Sequence, residues 1–177
     1  SAWVFMQQLE ELFEVEMIED LEKGELNDLD LLLIVHPKNL SEPALFSVDQ
    51  YVLSGGKLLA FVDPLAELDQ PGPGTPGVPS KSSDLNAITE KWGVVLRKQK
   101  ILGDPEVALL VGGADGRPVR HLGILCFSQE YLGQDNVVTS SIETVNMATA
   151  GIFDLDTSLE TEIETLIRSS ESAGLMD

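Results

Sequence analysis

This sequence has few residues that could ligate a soft metal or form a disulfide. It has a single cysteine, Cys126, which excludes a disulfide framework and a zinc site built from several thiolates. Its two histidines are too few for a His-rich metal centre. No apolar run approaches the about 18 residues that a membrane-spanning helix needs. We therefore expect a protein without a metal or another cofactor.

Basic residues are also scarce. Eleven lysines and arginines face 30 acidic residues, which gives a net charge of -19 and argues against binding to nucleic acid or to anionic lipid. Seven of the 11 bases fall within residues 81–121, between two acidic ends. Such a charge distribution is typical of solvated faces, or of an oriented surface that docks a partner. A hydrophobic content of 43% in 177 residues is enough for a folded domain with its own core.

Two apolar runs joined by a capped helix form the clearest local pattern. Residues 30–35 (DLLLIV) and 57–62 (KLLAFV) are typical of strands that are buried on both faces of a parallel sheet. Between them, Ser41 is a suitable N-cap for a helix over 42–53, and Gly55-Gly56 is a suitable stop. The pattern predicts two parallel strands joined by a right-handed crossover.

The remaining elements are predicted from periodicity and from turn residues. An exposed loop rich in proline and glycine is expected over 65–82. Ser140 and Glu143 have the spacing of a capping box, which predicts a helix through Ala150. Further helices are predicted over 2–12 and from 82–84 to Trp92, and strands over 13–18, 94–96, 100–102, 107–111, 121–127, 152–155 and 163–168.

Several motifs resemble those of the extracytoplasmic region of auxiliary subunits in bacterial ABC transport systems, the family named for the gliding-motility protein GldG. The resemblance is strongest over 28–64, thin over 105–135, and extends over most of the chain. It rests on an ordered series of short motifs: Val35-His36-Pro37, Leu40-Ser41-Glu42, Asp49 to Leu53, Gly55 to Lys57 and Phe61 to Pro64, followed by Ser83-Asp84-Leu85, Trp92-Gly93, Gly103-Asp104 and Glu143 to Asn146.

The resemblance implies a fold, a location and partners. The implied fold is an α/β three-layer sandwich with a mainly parallel central sheet, like flavodoxin or the class I glutamine amidotransferases, and related to the GIFT domain of intraflagellar-transport proteins. Residues 1–177 are then a single periplasmic domain, a fragment of a larger protein anchored in the inner membrane. The implied partners are a permease subunit and a cytoplasmic ATPase.

A candidate ligand-binding site is predicted where the two apolar strands end. Ligands of parallel sheets bind beyond the carboxyl ends of the strands. His36 and Asp63 each follow a strand and precede a proline, and Asn39, Ser41 and Asp69 lie nearby in sequence. These side chains either bind a ligand or order the loops that follow the strands, because polar groups there can bond amides that the sheet leaves unpaired.

Catalytic signals are weak. Cys126 lies in an apolar strand without the glycines of a nucleophile elbow, so we expect a buried, inert thiol. Gly112 to Gly116 lacks the following lysine and helix of a phosphate-binding loop and predicts a hairpin turn. Two acidic clusters, Asp154 with Asp156 and Glu160 with Glu162 and Glu164, lack the glycine and the spacing of a calcium loop. We expect a non-catalytic module that binds a protein partner or an exported ligand; an amidotransferase-like or hydrolytic enzyme using His36 and Asp63, or a sugar-binding domain, remains the alternative.

Overall fold

The computed structural model describes residues 4–23, 26–69, 80–113 and 116–176. Positions 70–79 of the loop predicted over 65–82 lie outside the described residues. The chain divides into two compact units. The first comprises Ser1–Leu32 and Ser41–Leu58, and the second comprises Leu33–Leu40 and Leu59–Asp177.

The first unit is helical. Helix α1 spans Val4–Leu12, which confirms the helix predicted there, and it contributes no buried side chain. A short 3-10 helix follows at Leu21–Lys23. The strand predicted over 13–18 was wrong: this segment pairs with no strand, and Phe13 and Met17 are exposed. A strand without a neighbour leaves its backbone groups to water, so local alternation does not form one.

Helix α2 spans Glu42–Leu53, as predicted. The Ser41 hydroxyl accepts a hydrogen bond from the Ala44 amide, and Gly55 takes a left-handed φ of 98° just beyond the helix. The Tyr51 ring lies directly against Gly56, and its hydroxyl donates to the carbonyl of Leu29 at 3.1 Å. Capping, packing and the glycine stop therefore agree on the bounds of α2.

Strands β1 (Leu32–Val35) and β2 (Leu58–Phe61) pair in parallel, which confirms the predicted strand–helix–strand order. The Leu32 amide donates to the Lys57 carbonyl at 2.9 Å, and the His36 amide donates to the Phe61 carbonyl at 2.8 Å. These bonds bring the ends of both strands to the same edge.

The prediction of a mainly parallel central sheet in a three-layer sandwich was wrong. β1–β2 is a parallel sheet of two strands only, and the other sheets of the described residues are small and antiparallel. The connections at 97–100, 104–107 and 113–117 are too short for the dozen or so residues that a parallel crossover needs. The antiparallel strands are β3 (Val94–Leu96) with β8 (Phe153–Leu155), β4 (Ile101–Gly103) with β9 (Gly174–Met176), and β6 (Pro118–Ser128) between β5 (Ala108–Gly112) and β7 (Thr144–Ala148).

The core of the second unit forms around the inner half of β6. Leu125 is fully buried and Phe127 is 2% exposed. The Phe127 ring meets Tyr131 edge-on, with the centroids 6.3 Å apart. Leu102, Val107 and Leu132 complete the cluster. The long apolar run of β6 thus holds the surrounding short strands together.

Three further predictions need correction. The helix predicted from the capping box is strand β7, which pairs with β6 from Thr144 opposite Ser128 to Ala148 opposite Ile124. The helix predicted up to Trp92 is only α3 (Asn86–Thr89) with a 3-10 turn (Glu90–Trp92), although it ends at Gly93 as expected. The strand predicted over 163–168 is a single bridge between Leu132 and Ile167. None of the helices in the described parts of the chain has the length and hydrophobicity of a membrane-spanning segment.

Candidate functional site

A cluster of polar side chains lies at the carboxyl ends of β1 and β2. His36 follows β1 and Asp63 follows β2, and Ser83, distant in sequence, joins them. The His36 Nδ1 atom lies 2.8 Å from the Ser83 hydroxyl oxygen. The Asp63 amide donates to the same oxygen at 2.8 Å, and the Ser83 amide donates to the Asp63 carbonyl at 2.8 Å. The two strand ends are therefore linked through one serine.

The two ring nitrogens of His36 have different surroundings. Ser83 is fully buried, and its oxygen accepts the Asp63 amide and shares a second hydrogen bond with His36 Nδ1. Which of these two atoms donates the proton depends on the tautomer of the imidazole. The Nε2 atom of His36 is buried, has no hydrogen-bond partner among the described residues, and faces the Asp69 carboxylate at 3.5 Å.

Asp69 is held by Lys38. The Lys38 ammonium donates to the same carboxylate oxygen that faces His36. The hydrogen bond from Lys38 is the main reason that the pKa of Asp69 lies below its ordinary value; desolvation opposes the shift, and His36 assists it. Asp69 is therefore an anion paired with Lys38, not a free general base.

Asp63 serves the loop that follows β2. Its Oδ1 atom accepts the Leu65 amide at 2.7 Å. This side-chain-to-backbone bond forms a turn around Pro64, the first residue after Asp63. The Asp84 amide donates to the Pro37 carbonyl at 2.7 Å and ties the segment after β1 to the segment around Ser83. The Asp63 carboxylate thus orders the start of the loop after β2 through one backbone amide.

The structure places the other two predicted residues differently. Asn39 is exposed and has a φ of 52°, and His36 has a φ of 49°, so the loop after β1 contains two non-glycine residues in the left-handed region. This conformation is sparsely populated by side-chain-bearing residues and is tolerated where surrounding contacts hold it. Ser41 belongs to the first unit, where it caps α2 and donates to Glu22 at 2.5 Å.

Lys38 and Ser83 belong to the cluster but were not predicted as members. Lys38 lies two residues beyond His36, and its sequence context is typical of an exposed surface lysine. Ser83 lies 47 residues from His36, and the sequence placed it only at the start of a predicted helix. The Ser83-Asp84-Leu85 motif of the resemblance marks this segment as one of the family's motifs. It does not indicate that Ser83 contacts His36.

Cys126 and Asp154 were considered for catalysis and for calcium binding. Cys126 is a partly buried free thiol in β6, opposite Asn146 of β7. Asp154 forms a two-pronged ion pair with Arg97, with both distances at 2.6 Å, and the Arg97 hydrogen bond lowers the pKa of this carboxyl. No group of three or more His, Cys, Asp or Glu side chains in the described part of the chain could hold a metal ion.

Comparison with known proteins identifies the class. A family model described as an ABC-type uncharacterized transport system, for auxiliary components, matches residues 1–177. The chain therefore belongs to this family, and it is an auxiliary component of an ABC-type transport system. No curated protein matched the chain. The search of solved structures gave no match either.

Proposed function

We propose that this chain is a non-catalytic periplasmic module of the auxiliary component and that it binds the permease of the same transport system. Family membership supports the association with a transport system. The periplasmic location and the finer likeness to the GldG family rest on the motif resemblance. In the periplasm the permease is within reach of the module, whereas a cytoplasmic ATPase is not.

One exposed apolar surface carries the proposal that the partner is a protein. Leu32 and Ile34 point to the buried side of β1. Because side chains alternate along paired strands, Val35, Leu59 and Phe61 share the opposite side. They are 42%, 44% and 54% exposed. We call these three residues the apolar sheet face.

The apolar sheet face has the character of an interface. Strands of parallel sheets are normally covered on both sides, and their sequences are apolar for that reason. Here, none of the described residues buries this side. A contiguous exposed patch of large apolar side chains is typical of a protein–protein contact. A deep cleft with converging polar groups would favour a small ligand instead.

The polar cluster supports a non-catalytic role. Its potential nucleophile, the Ser83 hydroxyl, is fully buried and bonded on both sides. Its carboxylate, Asp69, is engaged by Lys38. Catalysis requires a nucleophile and a base that can reach a substrate. The cluster instead holds the loops at the edge of the sheet that carries the apolar sheet face.

Site-specific photocrosslinking tests the proposed partner. The full-length protein is expressed with the permease in its own membrane, with p-benzoylphenylalanine in place of Phe61. We expect a covalent adduct with the permease subunit. The matched control carries the probe at Val137, which is apolar and 87% exposed but lies outside the face. Equal adducts from both positions, or none from Phe61, would refute the docking of the permease on this face.

An independent fusion experiment tests the location. Alkaline phosphatase is active only after export, so a fusion at an exposed position such as Val137 reports the compartment of this chain. We expect high phosphatase activity. Activity of a cytoplasmic reporter at the same position, with an inactive phosphatase fusion, would contradict the periplasmic location.

A further inference from the structure

Two side chains of the loop after β1 converge on one carboxylate oxygen. The Lys38 ammonium donates to the Oδ2 atom of Asp69, and the Nε2 atom of His36 faces the same oxygen at 3.5 Å. The lysine and the aspartate are 24% and 28% exposed, whereas the partners of the Lys23–Asp20 pair are 83% and 42% exposed. Water and salt screen a partly buried pair less than an exposed one. A carboxylate is therefore bound more strongly at this position than on an open surface.

Asp69 satisfies only one of these two nitrogens. The Nε2 atom of His36 is buried and has no hydrogen-bond partner among the described residues. Its distance of 3.5 Å from the Asp69 oxygen exceeds the usual hydrogen-bond range of about 2.7 to 3.2 Å. In the tautomer with the hydrogen at Nε2, and in the imidazolium ion, this atom is a donor that lacks an acceptor, which is unfavourable in a buried place. A carboxylate that is not tethered to the chain can place one oxygen on Lys38 and the other on His36.

Asp69 ends a short turn that buries little surface. Its amide donates to the Ala66 carbonyl at 3.0 Å, and the two residues between them, Glu67 and Leu68, are exposed. The Lys81 ammonium donates to the Glu67 carbonyl at 3.1 Å, in a bond that is open to solvent. Segments with few buried apolar contacts and exposed hydrogen bonds open at a low cost in free energy. The Asp69 carboxylate can therefore leave its position without disturbing the core.

The loop after β1, by contrast, is fixed by bonds to a segment that is distant in sequence. The Pro37 carbonyl accepts the Asp84 amide at 2.7 Å, and the Nδ1 atom of His36 is hydrogen-bonded to the buried Ser83 hydroxyl at 2.8 Å. His36 and Asn39 have left-handed φ angles of 49° and 52°. Such strained conformations persist where surrounding contacts fix them, and they cluster at ligand clamps. The two nitrogens thus stay in position when the carboxylate leaves.

We propose that Lys38 and His36 form a binding site for the carboxylate of a ligand, and that Asp69 occupies this site as an internal substitute which the ligand displaces. The site lies at the carboxyl ends of β1 and β2, where ligands of parallel strands bind. A chain with a net charge of -19 repels anions overall, so a carboxylate needs converging donors of this kind to bind. The ligand is a small organic acid or the C-terminus of a peptide, which share this chemistry. The inference is independent of the permease proposal, which concerns the apolar sheet face.

An NMR titration of the purified chain with sodium acetate, at constant ionic strength adjusted with sodium chloride, tests the site. The variant Asp69→Ala removes the internal competitor. It should show saturable shifts of the His36 ring signals, with a dissociation constant at least about tenfold lower than that of the natural chain. Asp69→Asn, which keeps the size of the side chain but not its charge, should act in the same direction. Adding Lys38→Ala to either variant should raise the dissociation constant at least about tenfold, because the main donor is then lost.

The matched control is Asp20→Ala, which makes the same change in net charge and frees the exposed Lys23. It should leave the affinity for acetate unchanged. Equal gains in this control and in the Asp69 variants, or binding that survives the loss of Lys38, would overturn the proposal. So would unfolding of both Asp69 variants in circular dichroism, because Asp69 would then be an indispensable part of the fold.

A second probe distinguishes the two sources of the carboxylate. Acetyl-trialanine presents a peptide C-terminus, and its C-terminal amide lacks the carboxylate. Tighter binding of the peptide acid than of acetate to the Asp69→Ala variant would assign the site to peptide C-termini, and equal binding would assign it to small organic acids. Equal binding of the peptide acid and its amide would show that the carboxylate is not recognised and would overturn the proposal.

Discussion

The buried carboxylate of Asp104 offers the sharpest test of how this unit is held together. Asp104 follows β4 and is fully buried. It accepts the Ser170 amide at 2.8 Å, the Ser170 hydroxyl at 2.7 Å and the Glu106 amide at 3.0 Å. These bonds tie the end of β4 to the segment that leads into β9. Asp104→Ala leaves all three donors without this acceptor.

The size of the expected loss follows from these three bonds. Hydrogen bonds to a charged group contribute about 1.5 to 3 kcal/mol each, and a donor left unsatisfied by truncation costs about 1 to 3 kcal/mol. The three donors belong to two neighbouring turns, so their contributions overlap and we expect a total loss of about 3 to 5 kcal/mol. A domain is stable by only about 5 to 15 kcal/mol in all. Asp104→Ala should therefore remove a large part of the stability.

Urea denaturation measures this loss, and the chain contains a matched control. Asp156 accepts a serine amide at 2.9 Å and the same serine's hydroxyl at 2.6 Å, but it is exposed. Water can replace the carboxylate there, so Asp156→Ala should shift the midpoint far less. Equal shifts for both variants would refute the argument that burial makes the Asp104 contacts valuable.

The pH dependence of stability tests the contribution of Asp104 in a second way. Burial is the largest single effect on the pKa of Asp104 and raises it. The hydrogen bonds from Ser170, and from the amides of Glu106 and Val107, together outweigh it, so the pKa lies below its ordinary value. A group with a lowered folded pKa stabilises the fold above its unfolded pKa, and this stability is lost as the pH falls through the folded pKa. The stability difference between the natural chain and Asp104→Asn should therefore shrink in acid. A stability difference that stays constant as the pH falls would contradict a lowered pKa for Asp104.

Three further outcomes are expected. His36→Ala removes a hydrogen-bond partner of the buried Ser83 hydroxyl and should lower the free energy of unfolding by about 1 to 3 kcal/mol in urea denaturation; an unchanged midpoint would argue against a loop-ordering role. Gly56→Ala places a Cβ atom 2.4 Å from the Tyr51 ring and should lower the free energy of unfolding by about 1 to 3 kcal/mol through overpacking. The control Gly174→Ala meets open space and should be nearly neutral. Similar urea midpoints for the two variants would show that the Tyr51 ring moves aside without loss of stability. Cys126 should react slowly with iodoacetamide at neutral pH in the native protein, and rapid selective alkylation monitored by mass spectrometry would identify an activated thiolate instead.

Local chemistry explains which elements could be predicted. Helix α2 was predicted with its bounds because Ser41 caps it through its own hydroxyl and glycine terminates it. Strands β1 and β2 were predicted because their apolar runs are unbroken. For α2 the decisive contacts lie within a few residues of the signal. For β1 and β2, which pair across α2, the two apolar runs and the capped helix between them together predict the pairing.

The errors arise where distant contacts decide. The capping-box spacing of Ser140 and Glu143 favours a helix, but pairing with β6 draws Thr144–Ala148 into a strand, and the β-branched Thr144 and Val145 suit it. Strand β9 is three residues long and has no pattern of its own; it forms opposite β4. For the candidate site, His36 and Asp63 were found as strand ends, but Ser83 could not be placed between them from a separation of 47 residues.

Strand β6 carries a consequence for how this protein fluctuates. Its first five residues, 118–122, are exposed, and Leu125 and Phe127 near its end form the centre of the core. A register shift between Ala108 and Leu109 separates the two halves of the ladder. The outer half can therefore open without exposing Leu125 or Phe127, and amide protons on one continuous strand should exchange with solvent in two classes of very different rate. The outer half should tolerate substitution better than the inner half, because its side chains are exposed whereas Leu125 and Phe127 are buried in the core.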